Sequence, residues 1–189
     1  MRFVGMLIGY KMALEEPLML QLISVLMVLY SFFLIHTSIP KLPPRIPVHF
    51  NAAGVADGWG SPGTLWALLG AQALVCTVVL IVPYISQRFP GLVHIGTRRL
   101  SDFPPAQRSR ILQMLTDMGA YMSVVINAFF CYALHEVVQA ATQPIPHLEL
   151  RWALALMAGG ILGVTLYYLV KLLGAARSAD GESPRGFTP

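Results

Sequence analysis

Two groups of side chains in this chain have the types and spacing to do chemistry. The first is His49, Asn51, Asp57 and Ser61, carried with Trp59 in one short segment, Leu42–Ser61. An imidazole, an amide, a carboxylate and a hydroxyl so close in sequence can bind a peptide, a lipid headgroup or a cation. The same atoms can instead satisfy the backbone donors of the loop that carries them. The second group is His36, His135 and Glu136, which fall near the ends of apolar runs. Two helix-borne histidines at matched depth can ligate a b-type haem. Three histidines (His36, His49, His135) with Glu136 can instead hold a divalent metal. The loop pair His49 and Asp57 is by itself a weak metal signal, because zinc sites usually take three or four protein ligands. We expect neither metal nor cofactor.

Catalytic patterns are missing from the sequence. It has no Gly-x-Ser-x-Gly, no His-Glu-x-x-His and no phosphate-cradling glycine loop. His135 and Glu136 are the one acid–base neighbourhood, and adjacent helical residues point about 100° apart. The expectation is a protein that is not an enzyme.

The elements that position these groups are membrane spans. Charged residues make up 12% of the chain and apolar residues 56%, against about 25% charged in an ordinary soluble domain. A span needs about 20 mostly apolar residues. Four stretches qualify, at about 18–39, 64–85, 117–140 and 152–172. Barrel strands alternate and are about 10 residues long, so these runs are helices, which satisfy their own backbone in lipid. The expected fold is all-α: a polytopic four-transmembrane-helix bundle over residues 1–175, with a disordered Gly-, Ser- and Pro-rich tail at 176–189.

Charge orients the bundle. Ten of the 13 basic residues lie in the N-terminal segment, the 86–111 loop and the C-terminal region, leaving Lys41, Arg45 and Arg151 for the other side. The positive-inside rule then puts both termini in the cytoplasm and the 40–63 loop outside. Trp59, Trp66 and Trp152 all fall on that outer side. No cleavable signal is evident. The pI near 9.3 reflects the cytoplasmic loops; no folded basic module for nucleic acid is present. Arg108 and Arg110 have the position to meet anionic headgroups at the inner surface.

Local signals add detail. Pro40, Pro43, Pro44 and Pro47 stiffen the start of the outer loop, while Asn51–Gly54 and Asp57-Gly58 are turn formers. Ser101-Asp102 precedes two prolines and reads as a helix cap, with the third helix starting near Pro105. Ala155, Gly159 and Gly163 recur every four residues on one face, either for packing inside the bundle or for another subunit. Asn127 is the one strongly polar residue expected deep in a span. Cys76 and Cys131 read as buried small hydrophobes.

Leu42-Pro43, Ile46-Pro47, His49-Phe50-Asn51, Gly54, Asp57 and Trp59-Gly60-Ser61 closely resemble the signature loop of a bacterial membrane family that includes the SdpI-type toxin-immunity proteins. The resemblance is specific over residues 40–85. The chain departs at Pro62, where relatives commonly carry Lys or Arg, and SdpI-type proteins have more spans, so it is like the smaller members. The resemblance implies an outward loop in a bacterial inner-membrane protein. The leading expectation is a binding, signalling or immunity-type role, with His49, Asn51, Asp57, Trp59 and Ser61 meeting an extracellular peptide or a partner membrane protein. The alternatives are an accessory subunit of a larger membrane complex and, more distantly, a small transporter.

Overall fold

In the computed structural model, the backbone is described for residues 2–149 and 151–181, and the side chains for 16–149 and 151–175. Four helices are long and apolar enough to cross a membrane: α1 (Arg2–Ser38), α2 (Leu65–Arg88), α3 (Pro105–Ala140) and α4 (Arg151–Gly181). The expected four-helix transmembrane architecture is therefore what forms. Helix α4 is described as far as Gly181; the tail expected from 176 onward otherwise lies outside the described residues.

Prolines set the helix ends. Helix α1 gives way at Ser38 to a 3-10 turn, Ile39–Lys41, that contains Pro40. Helix α2 stops at Phe89, the residue before Pro90, which leaves helical geometry at φ −129° and ψ 65°; the residue before a proline disfavours the helical region. Helix α3 starts on Pro105, where the missing N–H would have had no partner. The Ser101-Asp102 cap expected for α3 acts one turn earlier. The Asp102 carboxylate accepts from Arg99 N (3.1 Å) and Ser101 Oγ (3.0 Å), closing a 3-10 turn at Leu100–Asp102.

Helix α3 is the hub: α1, α2 and α4 all pack on it, and α1 also touches α2. Two apolar clusters bracket the bundle. At one end Ile35, Leu65, Leu134 and Val137 from the helices bury Ile46 and Leu148 from the connections. At the other, Leu100 and Phe103 pack on Ile111 of α3 and Leu172 of α4. We call these the cap end and the basic end.

The middle of the bundle is polar. Ser24, Ser31, Gln72, Ser123 and Asn127 are at most 1% exposed. Cys131 is their centre: its Sγ donates to Met27 O (3.4 Å), accepts from Gln72 Nε2 (3.5 Å) and lies 3.4 Å from Ser31 Oγ. Asn127 donates to Ser123 O (2.9 Å). Asn127 is thus not the one deep strongly polar residue, because Gln72 on α2 is equally buried. Short polar side chains at helix contacts are the packing mode that lipid favours, since apolar faces gain nothing by leaving it.

The Ala155/Gly159/Gly163 row does not make the intrachain contact. All three residues are exposed, and a Cβ added at Gly159 or Gly163 would meet nothing within 4 Å. Gly160, one position along, is the close contact, where an added Cβ would lie 3.1 Å from Val125 Cγ1. The four-residue period was right for a shared face, but α4 is rotated so that another face meets α3.

Candidate functional site

The 42–61 segment folds into an antiparallel hairpin, β1 (Ile46–Phe50) and β2 (Ala56–Gly60). Strand β1 starts after the proline-rich stretch, with Ile46 and Pro47 buried and Val48 and His49 exposed. Asp57-Gly58, expected as a turn, lies inside β2 instead. The reversal is made by Asn51–Gly54 alone. Gly54 N donates to Asn51 O (2.9 Å), and the Asn51 side-chain oxygen accepts from Ala53 N (2.9 Å) and Val55 N (3.1 Å). One Asn side chain closing its own turn is what releases Asp57-Gly58 to extend.

Gly54 has φ +80°, and a Cβ there would fall 2.4 Å from Leu148 O. That close approach marks a second connection joining the hairpin. Leu148 N donates to Gly54 O (2.8 Å), and Val55 pairs with His147 in an antiparallel bridge. His147 Nε2 donates to Ala53 O (3.0 Å). Residues 146–148 therefore lie along the hairpin's turn, and Leu148 plugs it into the apolar cluster beneath.

Across the strands, His49 faces Gly58, with the register shifted on both sides of it. A Cβ on Gly58 would stand 2.7 Å from His49 Cβ, so the glycine lets the two strands close up at His49. His49 Nδ1 donates to the Asp57 carboxylate in an ion-pair geometry, with side-chain exposures of 72% and 43%. Nearby, Glu149 reaches His147 Nδ1 (3.8 Å) and Arg151 Nε (3.7 Å).

Under this cap opens a cavity of about 720 Å³. Its rim carries His49, Asn51, His147, Glu149 and Arg151, and its floor is apolar, with Leu68 of α2, Phe129 and Val137 of α3 and Leu154 of α4. A charged rim over an apolar floor can take a ligand with a polar and an apolar part.

Of the residues singled out from sequence, the fold brings His49 and Asp57 into direct contact and puts Asn51 on the same rim with its oxygen committed to the turn. Trp59 is in β2 and 47% exposed. Ser61 precedes the 3-10 turn Pro62–Thr64 and accepts Thr64 N through its carbonyl at 3.0 Å; its side chain caps nothing. His36 stacks on Phe32 in α1, ring centroids 6.0 Å apart. His36, His49, His135 and Glu136 are not gathered: among the described residues, no group of three or more His, Cys, Asp or Glu could hold a metal. The sequence reading missed His147, Glu149 and Arg151 as site residues. The available signal was their place in the short connection at the same end as the 40–63 loop.

No curated protein and no solved structure matches this chain. A family model described as a domain of unknown function, DUF1648, matches residues 25–73, which take in the C-terminal part of α1, the whole cap hairpin and the first turns of α2.

Proposed function

We propose that this chain is a non-enzymatic membrane protein that recognises its ligand through the cap, in the manner expected of an SdpI-like binding, signalling or immunity-type protein. In this reading the basic end faces the cytoplasm of a bacterial cell and the cap lies outside the inner membrane. The ligand is an extracellular peptide or the exposed part of a partner membrane protein. The observation that carries the reading is the His49–Asp57 pair. Ile46 and Leu148 plug the cap into the bundle, and Asn51, Gly54 and Leu148 hold its backbone. The pair contributes little to that frame, since exposed ion pairs are weak, yet it is displayed at the surface with both side chains largely exposed. A displayed pair on a rigid mount suits recognition better than support.

The test separates binding from folding. Purified full-length protein would be screened against peptides, and the binders repeated with His49→Ala and Asp57→Ala. Loss of binding with unchanged membrane yield and Tm supports the reading. If both variants disappear from the membrane, the pair is structural and the proposal fails.

One observation favours a second reading, an accessory subunit. The Ala155/Gly159/Gly163 row is turned away from the bundle, where a partner helix could approach closely. Gly159→Leu and Gly163→Leu should then remove a co-purifying membrane protein and leave the bundle intact.

A further inference from the structure

The basic end holds a second cavity, about 740 Å³, built from three helices. Its lining includes Gln87 from the end of α2, Arg108, Ser109, Arg110 and Asp117 from α3, and Lys171 from α4. Three cations face one carboxylate there. That carboxylate is already engaged, accepting Gln113 Nε2 at 2.8 Å.

The cations are held differently. Arg108 donates through Nη2 to Ser101 O (2.7 Å) and Phe103 O (3.3 Å), while its Nε is buried with no hydrogen-bond partner. Lys171 Nζ stands over the Tyr167 ring, 4.4 Å from its centroid, and 5.8 Å from that of Tyr168. Such stacking leaves donors of the ammonium free to turn into the cavity. Arg110 is exposed and makes no hydrogen bond or ion pair among the described residues. Gln87 and Ser109 add neutral donors. Leu112 and Met114 supply apolar walls at the same site.

We propose that this cavity binds the phosphate headgroup of an anionic phospholipid from the leaflet at the basic end. Convergent cations and neutral donors are the chemistry of phosphate recognition. The wall residues and the level of the cavity, where apolar helix meets basic connection, favour a lipid over a free anion. The bound headgroup bridges α2, α3 and α4, and so ties α4 to the bundle at the end where Leu172 alone joins the apolar cluster. The proposal is independent of the ligand read at the cap.

The test uses full-length protein reconstituted in nanodiscs of phosphatidylcholine with and without phosphatidylglycerol. Lipid retained through detergent exchange is extracted and quantified. Wild type should retain phosphatidylglycerol selectively. Arg110→Gln and Lys171→Gln should each weaken retention about fivefold, and the pair about twenty-fold. Arg110 makes no hydrogen bond or ion pair with a described residue, so its variant should fold even where Lys171→Gln does not. Arg88→Gln, at the same end but outside the cavity lining, should leave retention unchanged. If Arg88→Gln weakens it equally, the effect is diffuse surface charge and the site is refuted. If inorganic phosphate protects the protein from thermal unfolding and phosphatidylglycerol does not, the cavity is a soluble-anion site and the lipid proposal is overturned.

Discussion

Each end of the bundle carries a β-hairpin, and the two differ in size, charge and attachment. At the cap end the strands are five residues long, and the hairpin is clamped by Ile46 below and residues 146–148 alongside. Its exposed side chains include His49 and Asp57 together with the apolar Val48, Val55 and Trp59. At the basic end β3 (His94–Ile95) and β4 (Arg98–Arg99) are two residues each. That hairpin connects to the bundle through Leu100 and Phe103, with the Arg98 guanidinium stacked 4.6 Å over the Phe103 ring. The contrast separates a clamped end from a loosely held one. The cap commits side chains to holding a backbone shape, as the recognition role proposed for it requires. The basic end presents its cations on a minimal frame, as the lipid site proposed there requires.

The comparison can be broken most severely at Ile46. Ile46→Asp buries a carboxylate in the cap-end cluster and should cost about 4 kcal/mol or more, read as lost thermal stability in detergent and rapid proteolysis of the 42–61 segment. If the ends are independent, lipid retention at the basic end should survive in the protein that remains folded. Gly54→Ala comes next. It meets both a positive φ and Leu148 O at 2.4 Å, so a loss of about 2–3 kcal/mol is expected from backbone strain and displaced chain. The matching change at the other end is milder. Gly96 also has positive φ, +63°, but an added Cβ meets nothing within 4 Å, so Gly96→Ala should cost only about 1 kcal/mol. Equal Tm losses for the two glycine variants would contradict a tightly clamped cap and a loosely held basic hairpin. Asn51→Ala removes the acceptor for two backbone donors and should cost about 1 kcal/mol, seen as increased hydrogen exchange at Ala53 and Val55. Smallest of all, His49→Ala should hardly move Tm, because the pair is exposed, while removing ligand binding.

Much of the fold was legible from local signals. The four spans follow from length and composition, and the helix ends at Pro40, Pro90 and Pro105 follow from the missing proline N–H and its fixed φ. The Asn51–Gly54 reversal was legible for the same reason, since an Asn side chain closing its own turn needs no distant partner. Asp57-Gly58 carried an equally good turn signal and lost it to pairing with β1, an interaction the local sequence does not contain. Ser101-Asp102 had the right cap chemistry one turn too early for α3, because two prolines force an extended stretch before α3 can begin. For the site, the sequence singled out His49 and Asp57 but not that they touch, and it passed over His147, Glu149 and Arg151 because they are remote in the chain.

The sequence by itself determined that this is a four-span helical membrane protein, which end carries the excess of positive charge, and where the 40–63 loop reverses. Each of these depends on residues within a turn or a span of one another, and the bilayer's fixed thickness turns composition into architecture. Only the tertiary structure decided which helix faces meet. In lipid an apolar face is as content outside as inside, so hydropathy cannot say that Gly160 rather than Gly159 packs on α3, or that Gln72 meets Cys131. It also decided the site, because the cap cavity exists only where the hairpin, the 146–148 segment and three helices come together.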